Sequence, residues 1–315
     1  MPRRAIVLMN LGGPDSPEAV EPFLVNLFRD PAIIRFPLIL RWPLAWLIAR
    51  RRADTARDIY DHLGGGSPLL ANTQAQGQEL EAVLGDGYRC FVAMRYWHPL
   101  TEQAVAEVKD WRPDEVICLP LYPQYSTTTT ASSVAAWQRA AKRQGLDRPT
   151  RIIEPYPTAG GFIAALVGLI APVLEEAEKS HKARLLLSAH GLPLKIVDAG
   201  DPYPDQVNET ADAVVAALDW PGLDWTVCYQ SRVGPLAWLG PQTDNEIRRA
   251  GRDGVAVVVA AISFVSEHSE TLVELDRDYR RLAEESGVPA YYRVPTVGTD
   301  PRFIAALAEL VRGIG

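Results

Sequence analysis

Two distant stretches of this chain repeat one plan, and the repetition constrains the fold more than any other feature. AIVLMNLGGP, starting at Ala5, and LLLSAHGLP, starting at Leu185, are short apolar runs that end in a polar lip, a glycine and a proline. A run apolar on both faces suits a parallel strand covered by helices, and glycine and proline end it in a turn. LPLYPQYSTTT, from Leu119, and AAISFVSEHSET, from Ala260, correspond in the same way. Apolar runs at 5–9, 89–94, 116–119 and 151–154, then at 185–188, 226–229, 255–260 and 291–294, alternate with helical stretches. That alternation predicts an α/β chain of two halves, each a parallel sheet of right-handed βαβ units flanked by helices. The halves are expected to face each other across a cleft lined by strand ends. Residues 1–158 with a closing helix at 300–315 form the first, and residues 159–299 the second.

Ligands of open α/β sheets bind beyond the carboxyl ends of the strands, so the residues there are the functional candidates. His190 is expected just past a strand that stops at Ala189, in the turn forced by Gly191 and Pro193. A histidine so placed is equally compatible with a local role, capped by turn backbone. Arg95 and Tyr96 follow a second strand. Tyr122 and Ser126 follow a third, where a run of threonines is expected to cap a helix beginning near Ser132. Ser16 is expected to cap the first helix, and Trp238 lies close behind the strand at 226–229. Glu267, His268 and Glu270 open a helix predicted over 269–285. On it Glu267, Glu270 and Glu274 fall at i, i+3 and i+7 and would share one face. On a solvated face such a row needs no further role, since carboxylates are favoured near a helix N-terminus. Aimed into a cleft, its members would resist full ionisation and suit proton transfer or a divalent cation. Imidazole, carboxylate and aromatic neighbours together suit Fe²⁺ or a similar metal better than Mg²⁺.

Several classes are excluded. The chain carries a net charge of −7 and no basic-aromatic stripe, which argues against a nucleic-acid partner. Gly12-Gly13 lacks the GxGxxG pattern of a dinucleotide site, and no Gly-x-Ser-x-Gly nucleophile elbow occurs. Cys90, Cys118 and Cys228 are far apart and one too few for four thiolate ligands, so they read as buried core thiols in a reducing compartment. The five-residue apolar run behind Arg3 and Arg4 is too short for a secretory leader, the feature a two-lobed periplasmic binding protein would need.

FPLILRWPLAWLIARRR is the oddest segment, opening at Phe36 and closing on Arg50, Arg51 and Arg52. Two prolines and Arg41 rule out a membrane span. Tryptophans beside arginines suit a patch resting at lipid headgroups, and a core helix with a basic end suits the same pattern.

SAHGLP, YQSRVGPLAWLGPQT, FVSEHSETLVELDRDY, MRYWHPLTE, YPQYS and HLGGGSP together resemble the ferrochelatase family, over the whole chain from LMNLGGP to the last helix and in the same order. The resemblance implies two Rossmann-like, chelatase-type domains and the insertion of Fe²⁺ into protoporphyrin IX, giving protohaem with loss of two protons. It implies His190 and Glu270 as the catalytic pair and the residues the metal meets, with Glu267, His268 and Glu274 on a proton or metal path. Leu11, Tyr60, Ser67, Arg95 and Tyr96 match porphyrin-contact positions, as do Tyr122, Ser126, Trp238 and Phe264. Leu11 stands where many relatives carry methionine. The patch from Phe36 matches the apolar lip by which animal members meet the membrane. Thr127 stands where animal members carry a cluster cysteine, and their cysteine-bearing extension has no counterpart here. The resemblance therefore implies no iron–sulfur cluster and no permanent cofactor, a monomer or weak dimer, and a cytoplasmic enzyme with peripheral membrane contact. A sister chelatase taking cobalt or another tetrapyrrole is the nearest alternative.

Metal entry requires the inner N–H groups of the porphyrin to lose their protons. A histidine titrating near its ordinary 6.5 can accept one at neutral pH. His190 as proton acceptor and His190 as first metal ligand are both compatible with the sequence. Arg95 or the Arg50–Arg52 run could pair with propionates.

Overall fold

The predicted duplication is present down to strand order. In the computed structural model, which describes residues 2–34 and 36–313, the first sheet contains β1 (Arg4–Asn10), β2 (Tyr88–Met94), β3 (Glu115–Pro120) and β4 (Thr150–Ile152) in the order β2-β1-β3-β4. The second contains β5 (Ala183–His190), β6 (Asp224–Gln230), β7 (Ala256–Ala261) and β8 (Tyr291–Val294) in the order β6-β5-β7-β8. All six strand pairings are parallel. In each sheet the first strand has neighbours on both sides, so the chain reverses its winding between β1 and β3 and again between β5 and β7. Those reversal points are where α/β sheets hold ligands.

The chain divides into two compact units, Met1–Pro155 with Leu307–Gly315, and Tyr156–Ala306. Sequence places the closing helix wholly with the first half, but Pro301–Gly313 straddles the division. Phe303 packs on Phe162 in the second unit, centroids 5.8 Å apart, while the Arg312 guanidinium donates to the Val83 carbonyl in the first.

The inner strands are buried on both faces because helices cover each sheet twice. In the first unit, Ala5, Val7 and Met9 of β1 pack with Phe91, Val105 and Trp137. In the second, Leu186 of β5 packs with Val257, Val259, Leu275 and Tyr291. The helix Gly160–Glu178 is long and apolar enough to cross a membrane by composition. Its buried residues Phe162, Leu166, Ile170 and Leu174 recur every four positions, which marks the face it packs on the second unit.

Three local expectations are corrected. β5 continues through His190, which pairs in register with Gln230, so the histidine ends the strand instead of following it. The helix near the threonine run starts at Thr130, two residues early, and no side chain caps it. Ser126 Oγ instead accepts the Thr128 N–H at 3.1 Å and bonds the Thr128 hydroxyl at 2.8 Å, which pairs these two hydroxyls inside the loop. The third difference is the helix after β7. It is π-helical over Glu270–Asp278, and the Tyr279 N–H reaches back to the Glu274 carbonyl; only Tyr279–Glu285 is α-helical. Ser16 caps only the short 3₁₀ turn Pro17–Ala19, its Oγ accepting the Ala19 N–H at 3.3 Å; the first α-helix, Val20–Phe28, follows on from that turn without a side-chain cap of its own.

The segment from Phe36 buries one narrow face in the first unit's core, through Ala45 and Ala49, and leaves its large apolar side chains outside. Leu38–Asp61 is one helix with Pro43 in its second turn. Ala45, Ala49 and Ala53 are buried, whereas Leu38, Ile39, Leu40, Trp42, Trp46 and Leu47 are exposed, Ile39 to 86%. Arg29 lies over the Trp42 ring at 4.9 Å and Arg50 over Trp46 at 5.2 Å.

Candidate active site

In the second unit the ends of β5 and β7 converge on His190. Its backbone N–H donates to Ser263 Oγ at 3.1 Å, and its Nδ1 contacts the Gly191 carbonyl at 2.5 Å. The second contact fixes the tautomer: Nδ1 must carry the proton that the carbonyl accepts, leaving Nε2 to face outward. Gly191 is required here because a Cβ would lie 2.8 Å from the Gln230 carbonyl oxygen and 3.2 Å from the Trp238 ring. Trp238 thereby closes over the turn.

His190 Nε2 faces Glu270 Oε1 at 3.4 Å, and the other oxygen of that carboxylate faces His268 Nε2 at 3.3 Å. Phe264 stands edge-on to both rings, 6.3 Å from His190 and 4.5 Å from His268. Burial opposes the charge on His190, but the Glu270 carboxylate prevails and lifts the imidazole to about 9. Burial likewise opposes the charge on Glu270, and His190 and then His268 hold it well below the usual carboxylate range. The pair is therefore an imidazolium beside a carboxylate at neutral pH. This revises the expectation of a neutral histidine titrating near 6.5.

Glu274, one turn on, has the opposite shift. Burial and then the neighbouring Glu270 push it above its ordinary value. Four donors work against that rise: Ser231 N–H at 2.8 Å, Ser231 hydroxyl at 2.5 Å, Gln230 amide at 3.1 Å and Tyr279 hydroxyl at 3.0 Å. Ser231 adopts a left-handed backbone, φ 65°, which turns both its donors onto the one carboxylate.

Glu267 does not join the acidic row. It precedes the π-helix and accepts from Arg293 Nη1 at 2.8 Å and from the Thr296 N–H at 3.0 Å. Burial opposes its charge, but Thr271, Thr296 and Arg293 hold it low. Of the three glutamates only Glu274 resists ionisation. The i, i+3, i+7 reasoning assumed an α-helix reaching back to Glu267, and the helix is neither.

The first unit gathers its own candidates. Leu11, Tyr60 and Tyr96 belong to one apolar cluster with Val20 and Phe23. Ser67 lies against Gly13, where a Cβ would stand 2.5 Å from the Ser67 Cβ. Arg95 is committed internally: Nη2 donates to Asp30 at 2.6 Å and Nε to Ser132 at 2.7 Å. Asp30 is almost fully buried and also accepts from the Tyr96 hydroxyl at 2.8 Å, the Ser132 hydroxyl and the Ala32 N–H. Burial would raise its pKa, but Arg95 and these donors hold it low. Tyr122 and Ser126 lie on the loop after β3, and burial pushes the Tyr122 hydroxyl up.

A sequence model of the ferrochelatase family matches residues 3–313. This chain belongs to the ferrochelatase family. Curated relatives named ferrochelatase include one from Phenylobacterium zucineum, 55% identical over 314 residues, covering 98% of this chain and 90% of that one. Another, from Caulobacter vibrioides strain NA1000, is 54% identical over 313 residues, covering 98% and 89%. Among solved structures, SirB from Bacillus subtilis with Fe³⁺ matches with a TM-score of 0.60 over 98% of this chain and 94% of that one. At 13% identity that likeness is one of fold. Within this site, sequence reasoning missed Asp30, Gln230, Ser231 and Tyr279. Each acts by holding another side chain, and nothing in local spacing marks such a partner.

Proposed function

We propose that this chain inserts Fe²⁺ into protoporphyrin IX, releasing two protons and giving protohaem, the last step of haem formation. The observation that carries the reading is the His190–Glu270 pair at the end of β5, in a chain that belongs to the ferrochelatase family throughout its length. His190 in its free-base form accepts a pyrrole proton at Nε2. Glu270, already ionised, stabilises the imidazolium so formed, and His268 keeps that carboxylate turned toward it. Glu274 has a raised pKa and lies one turn along, so it can take a proton onward. The same two side chains meet the metal as a passing substrate. Were His190 the first metal ligand instead, Nε2 would again have to be proton-free.

We assign porphyrin contact to Leu11, Tyr60, Ser67, Arg95, Tyr96, Tyr122 and Ser126 of the first unit, and to Trp238 and Phe264 of the second. Arg95 then acts chiefly as a held wall residue, since Asp30 and Ser132 already engage it. No permanent cofactor and no iron–sulfur cluster is assigned. In support, Cys90, Cys118 and Cys228 lie on three different strands, β2, β3 and β6, with their thiols unpaired. We place the protein in the cytoplasm as a monomer or weak dimer, with the exposed face of Leu38–Asp61 touching the membrane surface.

The test is a visible absorption scan of the purified protein with protoporphyrin IX and Fe²⁺ under anaerobic conditions. Conversion of the free-porphyrin bands to those of the metallated ring at catalytic turnover is expected. A spectrum that stays that of free porphyrin would end the reading.

A further inference from the structure

We propose that Gln230 is a positioning residue for metallation: its side-chain amide pins Glu274 and the first turn of the π-helix that presents Glu270 to His190. This rests on the reading of His190, Glu270 and Glu274 as the reacting side of the second unit.

Gln230 is the last residue of β6 and is 1% exposed. Its Nε2 lies 3.1 Å from Glu274 Oε2 and 3.0 Å from the Glu270 backbone carbonyl. Its Oε1 lies 2.8 Å from the Ser188 hydroxyl. Only one orientation of the amide fits. Flipped, it would set its oxygen against the Glu270 carbonyl, which can only accept, a repulsive contact at a buried amide. Nε2 must therefore donate to both, and Ser188 must donate its single proton to Oε1.

That assignment reaches further into the core. Ser188 Oγ is 3.1 Å from the Thr243 hydroxyl, and Thr243 lies 3.2 Å from the Cys228 sulfur. Ser188 has spent its proton on Gln230, so it can only accept at its contact with Thr243, whose hydroxyl also faces the Cys228 sulfur as a donor. Ser188 and Thr243 are wholly buried. The outcome is that Ser188 donates to Gln230 and Gln230 donates on to Glu274 and the Glu270 carbonyl, each in one direction. A π-helical turn has less inherent stability than an α-turn and needs a hold from outside. Gln230 supplies it by gripping a carbonyl on that turn and a carboxylate on the next. Glu270 and Glu274 are thereby kept in fixed relation, and no other side chain bonds both residues among the hydrogen bonds of the described residues.

The test compares Gln230→Met, which keeps length and volume but removes both polar ends, with Ser188→Ala, which keeps the amide but leaves its oxygen without the Ser188 donor. Metallation of protoporphyrin IX by Fe²⁺ is measured well below each variant's Tm, alongside porphyrin affinity by fluorescence quenching. Gln230→Met should lower kcat about tenfold or more with porphyrin affinity changed less than about twofold, and Ser188→Ala should lower kcat about threefold. A purely structural role would lower Tm and leave kcat per folded protein intact in both variants, and that result overturns the proposal. Should Gln230→Met fail to fold, Ser188→Ala decides alone. Glu274→Gln is the control. Full kcat in Glu274→Gln removes Glu274 from the reaction and Gln230 with it. A slow Glu274→Gln beside unimpaired Gln230→Met and Ser188→Ala leaves the site reading standing and removes Gln230 only.

Discussion

His190 Nε2 and Glu270 Oε1 lie 3.4 Å apart, and each holds the other in its charged form. The imidazole is lifted to about 9 and the carboxylate is driven below its ordinary range, so the pair is ionised across neutral pH. Proton acceptance and metal ligation at Nε2 both require the free base. Metallation should therefore rise with pH across the neutral range and level off only near pH 9. A pH profile of kcat/KM between pH 6 and pH 10 measures this; a flat profile would remove His190 from the rate.

Stability has the reverse slope on the alkaline side. A raised histidine pKa contributes stability that is complete below the ordinary 6.5 and is lost as pH climbs through about 9. The lowered Glu270 pKa contributes stability above the ordinary carboxylate range, lost only on acidification. Thermal unfolding followed from pH 7 to pH 10 should show Tm falling through that upper window, and the fall should vanish in His190→Ala.

Removing either partner should separate chemistry from folding. His190→Ala should cost about 10²–10⁴ in kcat while porphyrin still binds, the usual magnitude for a lost general base. Glu270→Gln should slow turnover comparably and also move the pH limb down, because the imidazole loses the charge that raised it. A Glu270→Gln variant with the wild-type pH profile would break the link between the two residues.

Asp30 should matter to the first unit more than its place in sequence suggests. Its carboxylate is almost fully buried and neutralises Arg95, itself largely buried. Asp30→Ala strands that guanidinium and should destabilise by about 3–5 kcal/mol. Urea unfolding of wild type and variant tests this, and Asp30→Ala/Arg95→Met should recover part of the loss.

The exposed face of Leu38–Asp61 is expected to bind vesicles containing anionic lipid. Replacing Ile39 and Trp42 with glutamate should abolish co-sedimentation and leave solution kcat unchanged, since both side chains are exposed. Equal sedimentation of the variant would sink the membrane contact.

Much of the fold was legible because its signals are local. Apolar runs ended by Gly and Pro marked eight strands. The repeated order of polar lips marked two equivalent halves, and His190, Glu270, Phe264 and Trp238 were all found at lips. Errors clustered where one residue's conformation answers to a distant partner. ETLVELDRD has an α-helical spacing of apolar residues, yet it is π-helical, and Gln230 of another strand grips its first turn. Glu267 looked like one of three equivalent carboxylates until Arg293 and the Thr296 N–H claimed it.

Alternation of period and punctuation by glycine and proline are properties of neighbouring residues, so strand number, parallel pairing and the positions of the lips were determined by the sequence alone. Ionisation was not, because it depends on which charges lie within a few ångströms and how much water is excluded. Only the tertiary structure decided that His190 is charged at neutral pH, that Glu274 alone of the glutamates resists ionisation, and that Arg95 is held by Asp30. Those outcomes depend on distances between strands far apart in the chain.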